Sequence, residues 1–230
     1  AMSYRAIVAI LALILGAPAL ADTIAVIGTG DVGGALGPEF AAQGHTIVYG
    51  SRDPQRGKVK ELVEKTGDLA SATTPAEAAA QADIVVLAVP GLLVEEITKS
   101  LGDLSGKIII DPTNPLERRM NRLEHAVDTS NAEIIQAAAP GAYVVKAFNT
   151  LNWKTMVDPS SAGGPVSIPL VGDNGRAKKI VAELVAGMGL EPIDVGPLRD
   201  ARWVEGMLIL WINNRYGDKR PSFDYHLRAN

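Results

Sequence analysis

The chain has 230 residues, 47% of them hydrophobic and 21% charged, with a formal net charge of −4. Such a composition belongs to a globular protein with one substantial core, and without a lysine- or arginine-rich run it argues against a nucleic-acid partner. Cysteine is absent, which excludes disulfides, thiolate nucleophiles, iron–sulfur clusters and cysteine-bound zinc.

The first 21 residues read as a segment of their own. Arg5 precedes the apolar run AIVAILALILG (residues 6–16), and Ala19-Leu20-Ala21 then supplies a small-x-small cleavage pattern. The run is too short to span a bilayer but has the length of a signal-peptide core, so no stable transmembrane span is expected. The alternative is a helix over residues 3–16 with its apolar face packed on the domain or on a partner chain.

From residue 22 strand and helix patterns alternate. TIAVIG (residues 23–28) is a continuous apolar run ending in glycine, as expected of a strand buried on both faces. A helix follows over 32–44, with Pro38 expected to disturb its early turns, then a strand over 45–50 and a polar helix over 54–67 that starts at Pro54. A third strand is read near 69–72, a short helix over 74–82 capped by Thr74, a strand over 83–90, a helix from Gly91 and a strand over 107–115. The second half gives a helix from Asn131, strands over 142–149, 167–173 and 191–196, a helix over 175–189 and an apolar helix over 202–215. Trp203, Leu208, Leu210 and Trp211 fit no single stripe on that last helix, so it is expected to be largely buried. The alternation predicts an α/β fold, a doubly wound and mostly parallel sheet over residues 22–200, with a short helical extension and tail over 201–230.

The sharpest motif is Gly28-x-Gly30-x-x-Gly33, between the first strand and the first helix, the context in which it binds dinucleotides. Gly28 permits the tight turn, Gly30 lets the backbone approach a pyrophosphate, and Gly33 lets helix and strand pack closely. Unpaired N–H groups at the helix N-terminus complete the cradle. Thr29, Asp31 and Val32 lie inside it, and Asp31, unhelpful beside a pyrophosphate, is expected to cap the helix. The second strand decides which dinucleotide. An acid normally stands at its end to hold a ribose 2′-hydroxyl; here Gly50-Ser51-Arg52 stands there, with Arg56 a turn later. A hydroxyl and guanidinium groups suit a 2′-phosphate, so the expected cofactor is NADP(H), with Asp53 capping the helix behind. Such cofactors belong to the cytoplasm, whereas the N-terminal pattern points to export into the periplasm, and localisation stays open between the two.

His45, His125 and His226 are not spaced for metal, and no metal site is expected. Tyr143 and Lys146 stand one residue too close for a Tyr-x-x-x-Lys pair, and whether Lys146 faces the site stays open. No catalytic residue is assigned. A dehydrogenase acting on an alcohol or imine needs a positioned proton donor or acceptor. A hydride passed from one cofactor ring to another needs mainly proximity and alignment, and the sequence suits that second chemistry.

The strings IAVIGTGDVGGAL, YGSRDP, VVLAVP, SNAEIIQ, VVKAFNT and DVGPLRDARWVEGM, spread from about Ile24 to Met207, resemble two groups of proteins. These are the NADPH-dependent reductases of the deazaflavin coenzyme F-420 and the N-terminal oxidoreductase domain of the Steap metalloreductases. The resemblance implies a Rossmann domain with a short C-terminal helical extension, commonly a homodimer. It implies NADP(H) at Thr29, Gly30, Asp31, Val32, Ser51, Arg52 and Arg56, with the nicotinamide near Ala88, Val89, Pro90 and Asn114. It implies a flavin (FMN or FAD) or deazaflavin ring near Ala147, Phe148 and Asn149, closed over by the C-terminal helix. The function implied is hydride transfer between nicotinamide and a small-molecule acceptor of that class, with ferric reduction as an extension. The chain departs from the Steap pattern in its signal-like start and in having no transmembrane haem domain, which leaves the acceptor open. An imine or β-hydroxyacid reductase, which would want a longer helical C-terminal domain, and a non-catalytic NADP(H)-binding sensor stay as alternatives.

Overall fold

The computed structural model describes residues 21–217, 220 and 223–228; the segment read as a signal or a packed helix lies outside them. The chain runs through strand β1 (Thr23–Ile27), helix α1 (Asp31–Ala42), β2 (Thr46–Gly50), α2 (Gly57–Thr66), β3 (Ala70–Thr73), α3 (Pro75–Gln81), β4 (Ile84–Leu87), α4 (Val94–Ser100) and β5 (Ile108–Asp111). A hairpin of β6 (Leu116–Arg119) and β7 (Arg122–His125) follows. Then come α5 (Asn131–Ala138), β8 (Tyr143–Lys146), α6 (Trp153–Val157), β9 (Ser167–Val171), α7 (Gly175–Gly187), β10 (Glu191–Gly196) and α8 (Ala201–Ile212).

Eight strands form one sheet in the order β10-β9-β8-β5-β4-β1-β2-β3. Neighbours run parallel except β8 and β9, which meet antiparallel through the single pair of Lys146 and Val171. The chain winds from β1 through β2 and β3 on one side and through β4, β5 and β8 on the other, so the strand order reverses between β1 and β4. Ligands of such sheets bind outside the strand ends at that reversal. The central strands are apolar runs, IVVL in β4 and III in β5, buried throughout, because helices cover both faces. One core gathers around Phe40, Met156 and Leu184 under α1, α6 and α7, the other around Ala79, Leu101, Ile135 and Val204 under α3, α4, α5 and α8. Among the described residues no helix is long and apolar enough to cross a membrane.

The doubly wound, mostly parallel sheet and the helical extension are those the alternation predicts, and the differences are local. Pro38 sits inside α1 without ending it: Leu36 and Phe40 are fully buried, and their packing outweighs one missing N–H. α2 starts at Gly57 rather than Pro54, because the Asp53 carboxylate accepts from Gln55 N (3.1 Å) and holds a turn there instead of capping the helix. Asp31 makes no capping bond either; it is the first residue of α1, after Gly30, where its charge suits the positive end of the helix dipole. The hairpin and α6 were not expected. The hairpin is polar and poor in β-branched residues, and α6 is barely more than one turn. On α8, Leu208 and Trp211 are buried, but Trp203 and Leu210 are 70% and 65% exposed. That helix therefore has one covered face rather than being buried all round.

Candidate active site

A cleft of about 880 Å³ opens at the reversal of strand order. Gly28, Thr29 and Gly30 line it from the β1–α1 turn, Gly50, Ser51 and Arg52 from the end of β2, Arg56 from the approach to α2, and Ala88, Val89 and Pro90 from the end of β4. The turn has the shape that a dinucleotide needs. Gly28 has φ +102°, in the left-handed region where only glycine is unstrained, and a Cβ there would lie 2.2 Å from Ala88 O. A Cβ on Gly33 would lie 2.0 Å from Gly28 O, so α1 is seated tightly against β1, whereas nothing stands within 4 Å of one built on Gly30. The backbone at Gly30 is thus bare toward the cleft, beside the N-terminus of a 12-residue helix that offers N–H donors to an anion. These residues fit NADP(H).

At the other end of the cleft the end of β2 is fixed by Ser51 N donating to Thr73 O (2.9 Å). Arg52 and Arg56 are exposed there, and neither guanidinium engages another described residue. Two uncommitted cations beside a cradle for pyrophosphate are what a 2′-phosphate requires. Glu77 lies behind this rim on α3. Hydrogen bonds from the Thr73 hydroxyl, then from the Thr74 hydroxyl and N–H, hold its carboxyl below the usual carboxylate range. Leu93, Glu96, Ile97 and Ser100 complete the wall. Sequence reasoning missed them, although their spacing puts Glu96, Ile97 and Ser100 on one face of α4, with Leu93 in the turn before it; which face meets the cleft depends on the strand order. Tyr49, next to cleft residue Gly50, turns away. Its hydroxyl bonds Thr66 (2.7 Å), and burial pushes its pKa up to about 12. A second cavity of about 640 Å³, around Lys107, Tyr143 and Asn174 at the opposite strand ends, contains none of the expected site residues.

Asp31, Val32 and Gly33 follow Gly30 in the first turn of α1 and do not line the cleft, and the other expected residues sit on neighbouring strand ends rather than in it. Asn114 is half-buried, whereas Ala147, Phe148 and Asn149 are 0–2% exposed. Asn114 and Asn149 hold each other: Asn149 Nδ2 donates to Asn114 Oδ1 (3.0 Å), and Asn114 Nδ2 donates to Asn149 O (3.1 Å). Phe148, between Ala147 and Asn149, has φ +64°, a strained conformation for a non-glycine residue, worth on the order of 1–3 kcal/mol. Its ring packs edge-on to Phe40 at 6.1 Å, and that burial holds the kink in place.

Lys146 does not face the cleft. It is fully buried, and its ammonium donates to Asp111 Oδ2 (2.8 Å), Glu205 Oε1 (2.6 Å) and Thr113 O (2.5 Å). Glu205 Oε2 meets His125 Nε2 (2.6 Å), and Asp111 Oδ1 accepts from Thr113 Oγ1 (2.6 Å), which in turn accepts from Asn131 Nδ2 (2.7 Å). Sequence reasoning missed this cluster except for Lys146 itself, since no two of its ionisable members are near neighbours in the chain.

The chain is similar to known proteins in sequence and in fold. Residues 23–115 match the family described as NADP oxidoreductase, coenzyme F420-dependent. The F420-dependent NADP reductase of Methanothermobacter marburgensis is 30% identical over 209 residues, which cover 83% of this chain and 91% of that one. Metalloreductase STEAP3 of Rattus norvegicus is 32% identical over 191 residues; the match covers 83% of this chain but spans only 37% of STEAP3. Among solved structures, a candidate F420-dependent NADP-reductase from Arthrobacter sp. FB24 superposes with a TM-score of 0.82 at 32% identity, covering 90% of this chain and all of that one.

Proposed function

Because the chain belongs to the family of F420-dependent NADP reductases, and so is an NADP-dependent oxidoreductase, we propose that it passes hydride between nicotinamide and a flavin or a deazaflavin such as coenzyme F-420. The observation that carries this reading is the lining of the cleft: the guanidinium groups of Arg52 and Arg56 at one end, an apolar wall of Ala88, Val89 and Pro90 at the other, and, among the described lining residues, no histidine, lysine or tyrosine, the carboxylates being Asp53 beside the arginines and Glu96 on α4. The backbone of Thr29, Gly30, Asp31 and Val32 binds pyrophosphate, and Ser51, Arg52 and Arg56 hold the 2′-phosphate. Ala88, Val89, Pro90 and Asn114 orient the nicotinamide, and Ala147, Phe148 and Asn149 back the acceptor ring. When bound, NADP(H) supplies or takes up the hydride. A site built this way brings two rings into line, which is chiefly what ring-to-ring hydride transfer asks of a protein.

The similarity to STEAP3 supports a second reading, in which ferric ion is the substrate of the reduced flavin. The exposed Trp203 and Leu210, seven residues apart on one face of α8, support a homodimer that covers this stripe. A screen of NADPH oxidation against FMN, FAD, a deazaflavin and ferric chelates tests the function. Oxidation by a flavin or deazaflavin, with NADPH preferred over NADH, is the expected result. Tight NADPH binding without oxidation by any acceptor would replace the enzyme with a sensor, and turnover of imines or β-hydroxyacids alone would replace the acceptor. Sedimentation of the Leu210→Glu variant tests the dimer, which should dissociate.

A further inference from the structure

Helix α8 lies on the surface, yet its covered face carries a carboxylate. Glu205 is fully buried, and burying a charge is costly unless it is paired and hydrogen-bonded. Both of its oxygens are engaged: Oε1 by Lys146 Nζ (2.6 Å) and by Asn131 N (2.9 Å), Oε2 by His125 Nε2 (2.6 Å). These partners stand on three different elements, the end of β8, the first turn of α5 and the end of β7. One residue earlier, Val204 O accepts from Asn149 Nδ2 (3.1 Å), and Asn149 is the residue joined to Asn114. The hairpin is bound to the same helix a second time, where Asn213 Oδ1 accepts from Leu123 N (2.9 Å) and Asn213 Nδ2 donates to Leu123 O (2.7 Å). Two consecutive residues of α8 are thus tied to the strand ends on which the proposed function places nicotinamide and acceptor.

The cluster is arranged to hold rather than to react. An ammonium has three N–H donors, and Lys146 spends all of them on Asp111, Glu205 and Thr113 in a place closed to solvent. We infer that Glu205 is a positioning residue: it latches α8 and the β6–β7 hairpin onto the ends of β5 and β8, and so fixes the wall against which a planar acceptor seats. The acceptor's place rests on the proposed function; the latch itself does not.

Glu205→Ala tests the latch while leaving Lys146 paired with Asp111, so no buried charge is left without a partner. Hydrogen exchange is measured on the whole protein, with NADPH affinity by titration and turnover with the best acceptor from the screen. Amide exchange should quicken at least roughly 10-fold in α8 and the hairpin, the least that losing three hydrogen bonds to a buried carboxylate implies, and stay unchanged in β1, α1 and β2. NADPH affinity should hold within about threefold while acceptor turnover falls at least about tenfold, chiefly through KM for the acceptor. Glu205→Gln, which keeps the shape and one acceptor, should lie between the parent and Glu205→Ala in both readouts, and it takes the place of the alanine variant if that one does not fold. Unchanged exchange in α8, exchange quickened equally throughout the molecule, or NADPH affinity lost in step with turnover overturns the inference. A parent that binds no NADPH overturns the proposed function instead, and the exchange pattern still decides the latch.

Discussion

The corner to which the proposed function assigns the phosphates and the ion cluster lie at the same end of the sheet, the first at the ends of β1 and β2, the second at the ends of β5 and β8, and they are built by opposite means. The corner comes from short stretches, residues 28–33 and 51–56, works largely through backbone N–H groups, and leaves its guanidinium groups exposed and unpaired. The cluster draws Asp111, His125, Asn131, Lys146 and Glu205 from five separate elements, and the charges of Asp111, Lys146 and Glu205 are all buried. A ligand site can be written locally, because its task is to present free groups to something that arrives later. A latch has to be written across the chain, because its task is to make distant segments depend on each other.

The largest effect expected from this contrast is in Lys146→Met. It leaves the buried Asp111 and Glu205 carboxylates without their cation, which should cost about 3–5 kcal/mol in urea unfolding, while the folded fraction still binds NADPH. A loss of stability below about 1 kcal/mol, the scale of an exposed pair, would break the comparison. Gly28→Ala comes next. Left-handed backbone costs alanine about 1–2 kcal/mol, and the clash of its Cβ with Ala88 O adds roughly 1–3 kcal/mol of overpacking. Here calorimetry should show stability and NADPH binding falling together. Arg52→Ala should do the reverse of Lys146→Met, losing roughly 10- to 150-fold in NADPH affinity, or about 1.5–3 kcal/mol, with NADH affinity and the unfolding midpoint unchanged. An unfolding midpoint that drops with Arg52 would show that the corner is structural after all.

The smallest effect concerns Glu77. Its carboxyl titrates below the usual carboxylate range in the folded protein, held down first by the Thr73 hydroxyl. Its contribution to stability is therefore complete above the unfolded value and is lost as pH falls through the lowered folded value. Glu77→Gln should flatten only that acid limb of a stability-against-pH curve and leave the curve at neutral pH parallel to the parent's.

How much was legible follows the same division. The strand–turn–helix around Gly28, Gly30 and Gly33 and the change of acid to Ser51-Arg52 are local signals, and Gly28, Gly30, Ser51 and Arg52 all line the cleft. Pro38 and Asp53 misled because each was judged by its own preference, and in one case packing from across the core, in the other a side-chain turn, decided the outcome. Lys146 stood in the sequence as an uncommitted lysine on a strand. Nothing in its neighbourhood announces Glu205, because the two meet only after the sheet and α8 have come together. The hairpin carries the same lesson, since its second strand is held at His125 by Glu205 and at Leu123 by Asn213, both far along the chain.

The place of Lys146 in the sheet has a consequence for assembly. Its backbone makes the one pair that joins β8 to β9, and its side chain needs Asp111 from 35 residues upstream and Glu205 from the last helix. Contacts of such separation form late, because the chain between them must be closed first. Until then the ammonium sits on a strand whose other residues are already apolar and ready to collapse. The growing core has to stay open at this edge, wetting one lysine, until its C-terminal helix arrives. A chain lacking α8 would leave that ammonium short of one of its two carboxylates, at a point where the finished protein admits no solvent.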